Sequence, residues 1–361
     1  MVIIVKPTYS CNFRCKYCYL SNSTKSDGQV MDISLAKEFV RQLYDYVKET
    51  HQRKVSFIWH GGEPLLWGIN NYAEILDYMN DVFCDIHYKN SIQTNLSLIT
   101  KEYIDLFKQY NIHIGFSLDG DKEINDTQRV YPDGRGTFDD IMTKVKLCRE
   151  NGVSIGCIVV GSRKHIGRIK ELYDFLSENK LNFKFNPLFN SGEAKANQDE
   201  YGISPSEYAD MAIELFDLWY NDSQNELVES NFAEIASNII TKKTSHCMFG
   251  KNCQEKFFAV SPLGDIMPCG RFCDDEYKEY SYGNIKQKTL KEILEDRKKH
   301  ESYRRASYIA ESSCSVCEFY SICHGGCLHE GFIKSGDFKH KTFLCSAYKK
   351  VFEHIKKILN P

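Results

Sequence analysis

The sequence predicts an α/β fold: a partial (βα)6, TIM-like barrel followed by a small, cysteine-rich domain. Three observations carry this. Strand-like apolar runs alternate with helix-period segments as far as residue 190, and such alternation builds a parallel sheet with right-handed crossovers. Polar and glycine-bearing motifs fall at or just after the predicted strand ends, the face on which barrel enzymes carry their chemistry. Composition then changes sharply, with nine of the fifteen cysteines lying from Cys247 onward.

In chain order, the apolar run at 1–7 opens the chain as a first strand leading into a cysteine loop at 11–18. Asp32 or Ser34 caps a helix on which Leu35, Phe39, Leu43 and Val47 recur at helical spacing. A strand is predicted over 55–60, then a helix over 71–83 with Ile75, Tyr78, Met79 and Val82. The alternation continues through strand 91–95, helix 101–110, strand 112–118, helix 138–150, strand 153–160, helix 166–178 and strand 183–188. Six strands suit a barrel open on one side, because a closed one needs two more βα units. Residues 1–190 are therefore expected as the barrel. Residues 191–244, with helices over 205–220 and 228–241, are expected as a connector, and 245–361 as the second domain. That last region carries a hairpin signal at 257–267 around Pro262, Leu263 and Gly264. It is expected to be stapled by metal clusters rather than by a large apolar core.

With 361 residues and a net charge of −3, the chain reads as a globular protein without a nucleic-acid surface. No stretch approaches the roughly 20 apolar residues of a membrane span. The N-terminus has no signal-peptide pattern, so a cytoplasmic location is expected. In a reducing compartment fifteen cysteines point to metal binding rather than to disulfides.

Cys11, Cys15 and Cys18 form a C-x3-C-x2-C loop, with no further cysteine until Cys84. A four-iron cluster takes four cysteines, so three thiolates leave one iron open to a substrate or cofactor. His60-Gly61-Gly62-Glu63-Pro64 follows the second strand, where paired glycines let backbone approach a partner closely. Gln93-Thr94-Asn95 ends the third strand, Ser117 and Asp119 end the fourth, and Arg129 follows. In the C-terminal region Cys247 and Cys253 precede Gly264 and Cys269, and Cys314, Cys317, Cys323, Cys327 and Cys345 follow. Eight thiolates satisfy two four-iron clusters or, by the same arithmetic, two structural zinc sites. Cys84, Cys148 and Cys157 read as small core residues, and Cys273 as a partly exposed thiol beside Asp274 and Asp275. His324 and His329 flank Cys327 as supporting or surface groups. The basic stretch from Arg297 to His300, with Arg304 and Arg305, reads as a solvated helix face.

The triplet, with Tyr17 at its aromatic position, resembles the signature of the radical S-adenosylmethionine (SAM) enzymes. The C-terminal spacing resembles their SPASM extension. The resemblance implies that SAM chelates the open iron and yields a 5′-deoxyadenosyl radical. It assigns Cys11, Cys15 and Cys18 to that cluster and Tyr17, Gly61, Gly62, Glu63, Asn95, Ser117 and Arg129 to SAM contacts. It assigns Cys247, Cys253, Cys269 and Cys327 to one auxiliary [4Fe–4S] cluster and Cys314, Cys317, Cys323 and Cys345 to another, three clusters in all. The layout is similar to anaerobic sulfatase-maturating enzymes and to maturases of ribosomally made peptides. A precursor peptide or protein substrate and an external electron donor such as flavodoxin or ferredoxin are thereby implied. In the sulfatase maturases an Asp directly after the third auxiliary-domain cysteine is the expected base. Here Cys269 is followed by Gly270, which cannot accept a proton. The expected reaction is therefore formation of a thioether or C–C crosslink in a precursor peptide. Formylglycine-generating chemistry, with Asp274 or Asp275 supplying the base, is the alternative. A non-enzymatic iron–sulfur electron carrier is the contrasting class, but it has no use for an open iron.

Overall fold

The computed structural model describes residues 1–224, 226–244 and 247–359. Six parallel strands lie side by side in chain order: β1 (Val2–Val5), β2 (Lys54–Trp59), β3 (His87–Thr94), β4 (His113–Ser117), β5 (Ile155–Gly161) and β6 (Asn182–Pro187). Ile3 pairs with Phe57, Ile92 with Ile114 and Cys157 with Phe183. Helices Ile33–Glu49, Ile69–Val82, Lys101–Gln109, Phe138–Glu150 and Ile169–Glu178 make the crossovers. Of the two candidate caps for the first crossover helix, Asp32 is the one used: its carboxylate accepts the Ser34 N–H at 2.8 Å. The face that this helix buries is Leu35, Ala36, Phe39, Val40, Leu43 and Val47, which completes the periodicity seen in the sequence.

The sheet does not end with these six strands. β7 (Phe257–Val260) runs parallel to β1, and β8 (Asp265–Met267) and β9 (Gly283–Asn284) continue antiparallel from it. The hairpin expected at 257–267 is thus an extension of the barrel sheet, in register Ile3 to Phe258 and Val5 to Val260. The cysteine-rich region also has more apolar core than expected. Phe258, Val260, Ile266, Leu290 and Ile293 join the barrel core. A second cluster gathers Phe272, Tyr277, Leu328, Phe332 and Phe338. These aromatics come from separate loops and short helices, so no period announces them.

Helix Pro205–Asn221 starts at a Ser204/Glu207 capping box and packs on the last helix, Cys345–Leu359, with the Tyr208 and Tyr348 rings 6.2 Å apart. The boundary expected at 244/245 meets residues 245 and 246, which lie outside the described residues. Among the described residues no helix is long and apolar enough to cross a membrane. The C-terminal ends of β1 to β4 bring Lys6, His60, Asn95 and Ser117 to one rim, beside the loop of the first three cysteines.

Candidate active site

The loop carrying Cys11, Cys15 and Cys18 is gripped from several sides. The Arg14 N–H donates to the Val130 carbonyl at 2.7 Å and the Lys16 N–H to Gln128 at 2.9 Å. Asn12 donates to Ser97 Oγ at 2.9 Å and accepts from Asn95 Nδ2 at 2.8 Å, and that same Nδ2 lies 3.9 Å from Cys11 Sγ. Gly61 and Gly62 are required for packing. A Cβ on Gly61 would collide with the Thr8 carbonyl, and one on Gly62 with the carbonyls of Tyr9 and Ser10. The Gly62 and Glu63 N–H groups donate to Thr8 and Ser10 at 3.0 and 2.8 Å, so the glycine turn is clasped directly to the entry of the cysteine loop.

All three thiols are free and partly exposed. Burial pushes the Cys11 thiol up, and the neighbouring charges of Cys15 and Glu63 push it further. Cys15 is pushed up to about 11, mainly by burial and against the pull of Arg129. Thiols pushed up in this way need a nearby cation to ionise, and an iron cluster would supply that charge. The donor set therefore fits a cluster held by three thiolates.

Glu63 is wholly buried and its carboxylate is used internally. It accepts from the Leu65 N–H (3.0 Å), Thr94 Oγ1 (2.6 Å) and the Asn95 N–H (2.7 Å), tying the end of β2 to the end of β3. Burial raises its pKa to about 7 despite these donors. Arg129 is likewise engaged. Its Nε donates to Asp119 Oδ2 at 2.9 Å and its Nη2 to Oδ1 at 3.4 Å, and its guanidinium lies 5.3 Å from the Tyr17 ring centroid. Tyr17 donates its hydroxyl to the same Asp119, which also accepts the Val160 N–H at 3.0 Å. Asp119 is wholly buried, so the three side chains form a prop beneath the triplet. Ser117 Oγ accepts from Gln93 Nε2 at 3.1 Å at the rim.

No sequence pattern singles out Lys6 or Tyr19 at the mouth, and His60 stands there only as the first residue of the glycine motif. Lys6 is wholly buried at the end of β1. It donates to the Tyr19 hydroxyl at 2.9 Å, with its ammonium 4.8 Å from that ring's centroid. His60 accepts the Gly61 N–H on Nδ1 at 2.8 Å, and burial together with the Lys6 charge holds its pKa down to about 3. The imidazole is therefore neutral. A lysine ending a strand on the active rim was the one clue available.

Gly270 stands where the resemblance places an Asp. A Cβ there would lie 3.0 Å from Ile4 Cγ2 and 3.7 Å from Lys6 Cε. Asp274 is fixed elsewhere, its Oδ2 accepting the Ser21 N–H at 2.8 Å and its Oδ1 the Glu276 N–H at 3.1 Å. Asp275 pairs with Lys278 at 2.6 Å. Cys273 is buried rather than partly exposed, and Cys84 is exposed rather than in the core. Cys148 and Cys157 are core residues.

The C-terminal cysteines lie in two neighbourhoods, Cys247 beside Cys253, Cys269 and Cys327, and Cys314, Cys317, Cys323 and Cys345 around one cavity. The Cys247 thiol is pushed up by its hydrogen bond with Cys253 and by burial, with Cys327 and Cys269 adding their charges. Cys314, Cys317, Cys323 and Cys345 line one cavity of about 20 Å³ with Phe319, Tyr348 and Phe352. Among the described residues, no three His, Cys, Asp or Glu side chains are close enough to grip one ion. Two sets of four thiols match in number the four thiolates that a cubane cluster takes. Gln254 Nε2 and Arg271 Nη1 each lie 3.4 Å from a thiol sulfur, that of Cys253 and of Cys327. His329 is wholly buried against Phe189 and Phe272, and His324 Nδ1 lies 2.8 Å from the Phe249 carbonyl. The basic stretch is a solvated face only in part: Lys298, Lys299 and Arg304 are exposed, whereas Arg297 and Arg305 are buried.

Residues 5–176 match the Radical SAM superfamily and residues 247–318 match SPASM, an iron–sulfur cluster-binding domain. A cysteine-type anaerobic sulfatase-maturating enzyme of Clostridium novyi (strain NT) is 28% identical over 364 residues, spanning 97% of this chain and 94% of that one. A serine-type anaerobic sulfatase-maturating enzyme of Bacteroides thetaiotaomicron is 25% identical, spanning 98% and 89%. The solved structure of a polyhistidine-tagged anSMEcpe with bound AdoMet superposes with a TM-score of 0.87 at 25% identity, covering 99% of this chain and 93% of that one.

Proposed function

We propose a reaction for this chain, which belongs to the radical SAM superfamily and carries a C-terminal SPASM iron–sulfur domain: oxidation of a cysteine side chain in a peptide or protein. The chain is an enzyme that uses SAM and three [4Fe–4S] clusters. When bound, these supply a 5′-deoxyadenosyl radical that removes hydrogen from the substrate. The observation that carries the reading is the near end-to-end match to sulfatase-maturating enzymes, barrel and cysteine-rich region together.

Each group has a role within this reading. Cys11, Cys15 and Cys18 hold the SAM-binding cluster, and Asn95 and the Gly61–Gly62 turn fix their loop. Tyr17, Asp119 and Arg129 brace it from below. Ser117 and Asn95 present the polar rim that meets SAM. The other eight cysteines hold the auxiliary clusters in the two sets named above. The barrel, connector and cluster regions divide near residues 190 and 244. An external flavodoxin- or ferredoxin-type donor supplies reducing electrons.

Cysteine is preferred to serine as the target on chemical grounds. A thiol has a pKa near about 8.5, far below that of an alcohol, and sheds its proton without a strong base. Gly270 offers no base, and neither Asp274 nor Asp275 is free to replace one. Lys6, a buried ammonium at the same rim, would steady a thiolate. The same glycine favours a second reading, in which the substrate radical closes a thioether or C–C crosslink within a precursor peptide. Anaerobic turnover of a cysteine-containing peptide, followed by mass spectrometry, separates them. Formylglycine carries a reactive carbonyl in place of the thiol, whereas a crosslink loses two hydrogens and forms no aldehyde. Unchanged peptide with normal 5′-deoxyadenosine release would count against both.

A further inference from the structure

Arg305 lies on helix Glu301–Ala310 and is only 5% exposed. Its Nη2 donates to the Gly325 carbonyl at 2.9 Å, while its Nε is buried without a hydrogen-bond partner. Gly325 sits in the short turn between Cys323 and Cys327, one from each proposed cluster set. The turn is sharp, with left-handed backbone at His324 (φ 48°), Gly325 (φ 80°) and Gly326 (φ 71°). Gly325 also lines the cavity formed by Cys314, Cys317, Cys323 and Cys345. The guanidinium is thus docked on the backbone that joins the two sets.

A buried cation is costly unless it is paired. The partly exposed Arg271 shows how this region pairs a cation, through the buried Glu330 at 3.3 Å. That carboxylate is already committed, accepting also from Thr342 at 2.7 Å and from Tyr348 at 3.3 Å. Burial lowers the Arg305 pKa, and the neighbouring thiols Cys253, Cys327 and Cys323 oppose that fall ahead of Glu330. A four-iron cluster with four thiolates carries net negative charge that grows on reduction, and nearby charge and hydrogen bonds set its potential.

We propose that Arg305 is a shared counter-cation for the two auxiliary clusters, pairing with their negative charge and raising both potentials. This rests on the two-cluster reading above. The test uses the full chain reconstituted with iron and sulfide under anaerobic conditions, followed by redox titration with EPR detection. In Arg305→Met, iron content should match wild type and both auxiliary potentials should shift to more negative values. The potential of the N-terminal cluster should stay in place as an internal reference. Arg305→Lys keeps the charge and should restore most of the shift. Full iron with unmoved auxiliary potentials would overturn the proposal and leave the cluster reading intact. Melting of the two forms is the second readout. Cluster-free Arg305→Met should melt no lower than cluster-free wild type, because an uncompensated buried cation is gone, whereas the loaded variant should melt lower than loaded wild type. Equal destabilisation of both forms would make Arg305 an ordinary packing residue and overturn the proposal. Iron in wild type at the N-terminal triplet alone would remove the cluster reading, and this inference with it.

Discussion

Around Cys11, Cys15 and Cys18 the supporting polar groups come from distant strand ends: Asn95, the Gly61–Gly62 turn, and Arg129 with Asp119. Around the eight later cysteines they come from the same stretch of chain: Gln254, Arg271 and Arg305. On the reading proposed above, the first region supplies three thiolates and needs a rigid frame, because its fourth position must stay open for SAM. On the same reading the second has complete sets of four, and its problem is excess negative charge, against which the partly exposed Arg271 and the buried Arg305 are set. Removing a prop should therefore damage the first region through geometry and the second through charge.

The largest effect expected follows from removing ligands on each side. Ala at Cys11, Cys15 and Cys18 together should abolish 5′-deoxyadenosine formation and remove about a third of the roughly twelve irons. Ala at Cys314 and Cys317 should remove a similar share of iron, leave SAM cleavage measurable and stop product formation. Iron analysis with chromatography of 5′-deoxyadenosine reads both. Full SAM cleavage in the triplet variant would break the division of labour.

Next in size is the brace under the triplet. Asp119 is wholly buried, and Arg129 pairs with it at 2.9 Å. Removing one partner of such a pair costs about 3–5 kcal/mol, because the other charge stays buried. Asp119→Asn should lower the denaturant midpoint of cluster-free protein accordingly and also weaken SAM binding in the loaded form. Loss of SAM binding with no loss of stability would instead assign Arg129 to a direct contact.

That brace also marks where sequence reading stops. The triplet, the Gly-Gly turn and six alternating strands were legible because each is a local spacing, period 2 or period 3.6, or a fixed motif. Arg129 was legible as a functional candidate but not as the partner of Asp119, since a loop decides whether its fork turns toward a ligand or toward the protein. Arg305 sits in a run of basic residues and reads as solvated. The turn at Gly325 that buries it is twenty residues further along the chain. The pairing of β7 with β1 joins residues more than two hundred positions apart, and no local pattern encodes such a contact.

An effect of the same order is expected from pH, and it belongs to the barrel side. Burial raises Glu63 and Glu229 each from 4.5 to about 7. Groups with raised acid pKa values bind protons more tightly when folded, so stability is greatest below the unfolded value. It falls as pH rises and levels off just above the folded value. Each shift corresponds to about 3 kcal/mol across that window. Cluster-free protein should accordingly show a higher denaturant midpoint at about pH 5 than at about pH 8. Glu229 accepts the Phe185 N–H of β6 at 2.8 Å, and Glu229→Gln should remove its own share of the slope. A flat profile in wild type would mean that both carboxylates stay ionised, held by their backbone donors.

The smallest expected change is the most informative about chemistry, because it puts back the side chain that this chain lacks. Gly270→Asp alone should not create a sulfatase-type base. Its Cβ would press on Ile4 at 3.0 Å, and overpacking of that kind costs about 1–3 kcal/mol. Shortening the obstacle changes the outcome. In Gly270→Asp with Ile4→Ala, which removes both the Cγ2 and the Cδ1 that crowd the new Cβ, the carboxylate gains room on the side where Lys6 Cε lies 3.7 Å from that Cβ. The Lys6 ammonium, which hydrogen-bonds the Tyr19 phenol, would gain an anionic neighbour. If the native reaction is oxidation of cysteine to formylglycine, the double variant should extend it to serine peptides, whose hydroxyl needs the base that a thiol does not. If the native reaction is crosslinking, the double variant should give the same crosslinked mass as wild type and leave serine peptides untouched. Anaerobic turnover of paired peptides differing only in Cys or Ser, read by mass spectrometry, separates these outcomes. Conversion of the serine peptide by wild type itself would show that Gly270 is no barrier, and that a base outside the 269–275 loop takes the proton.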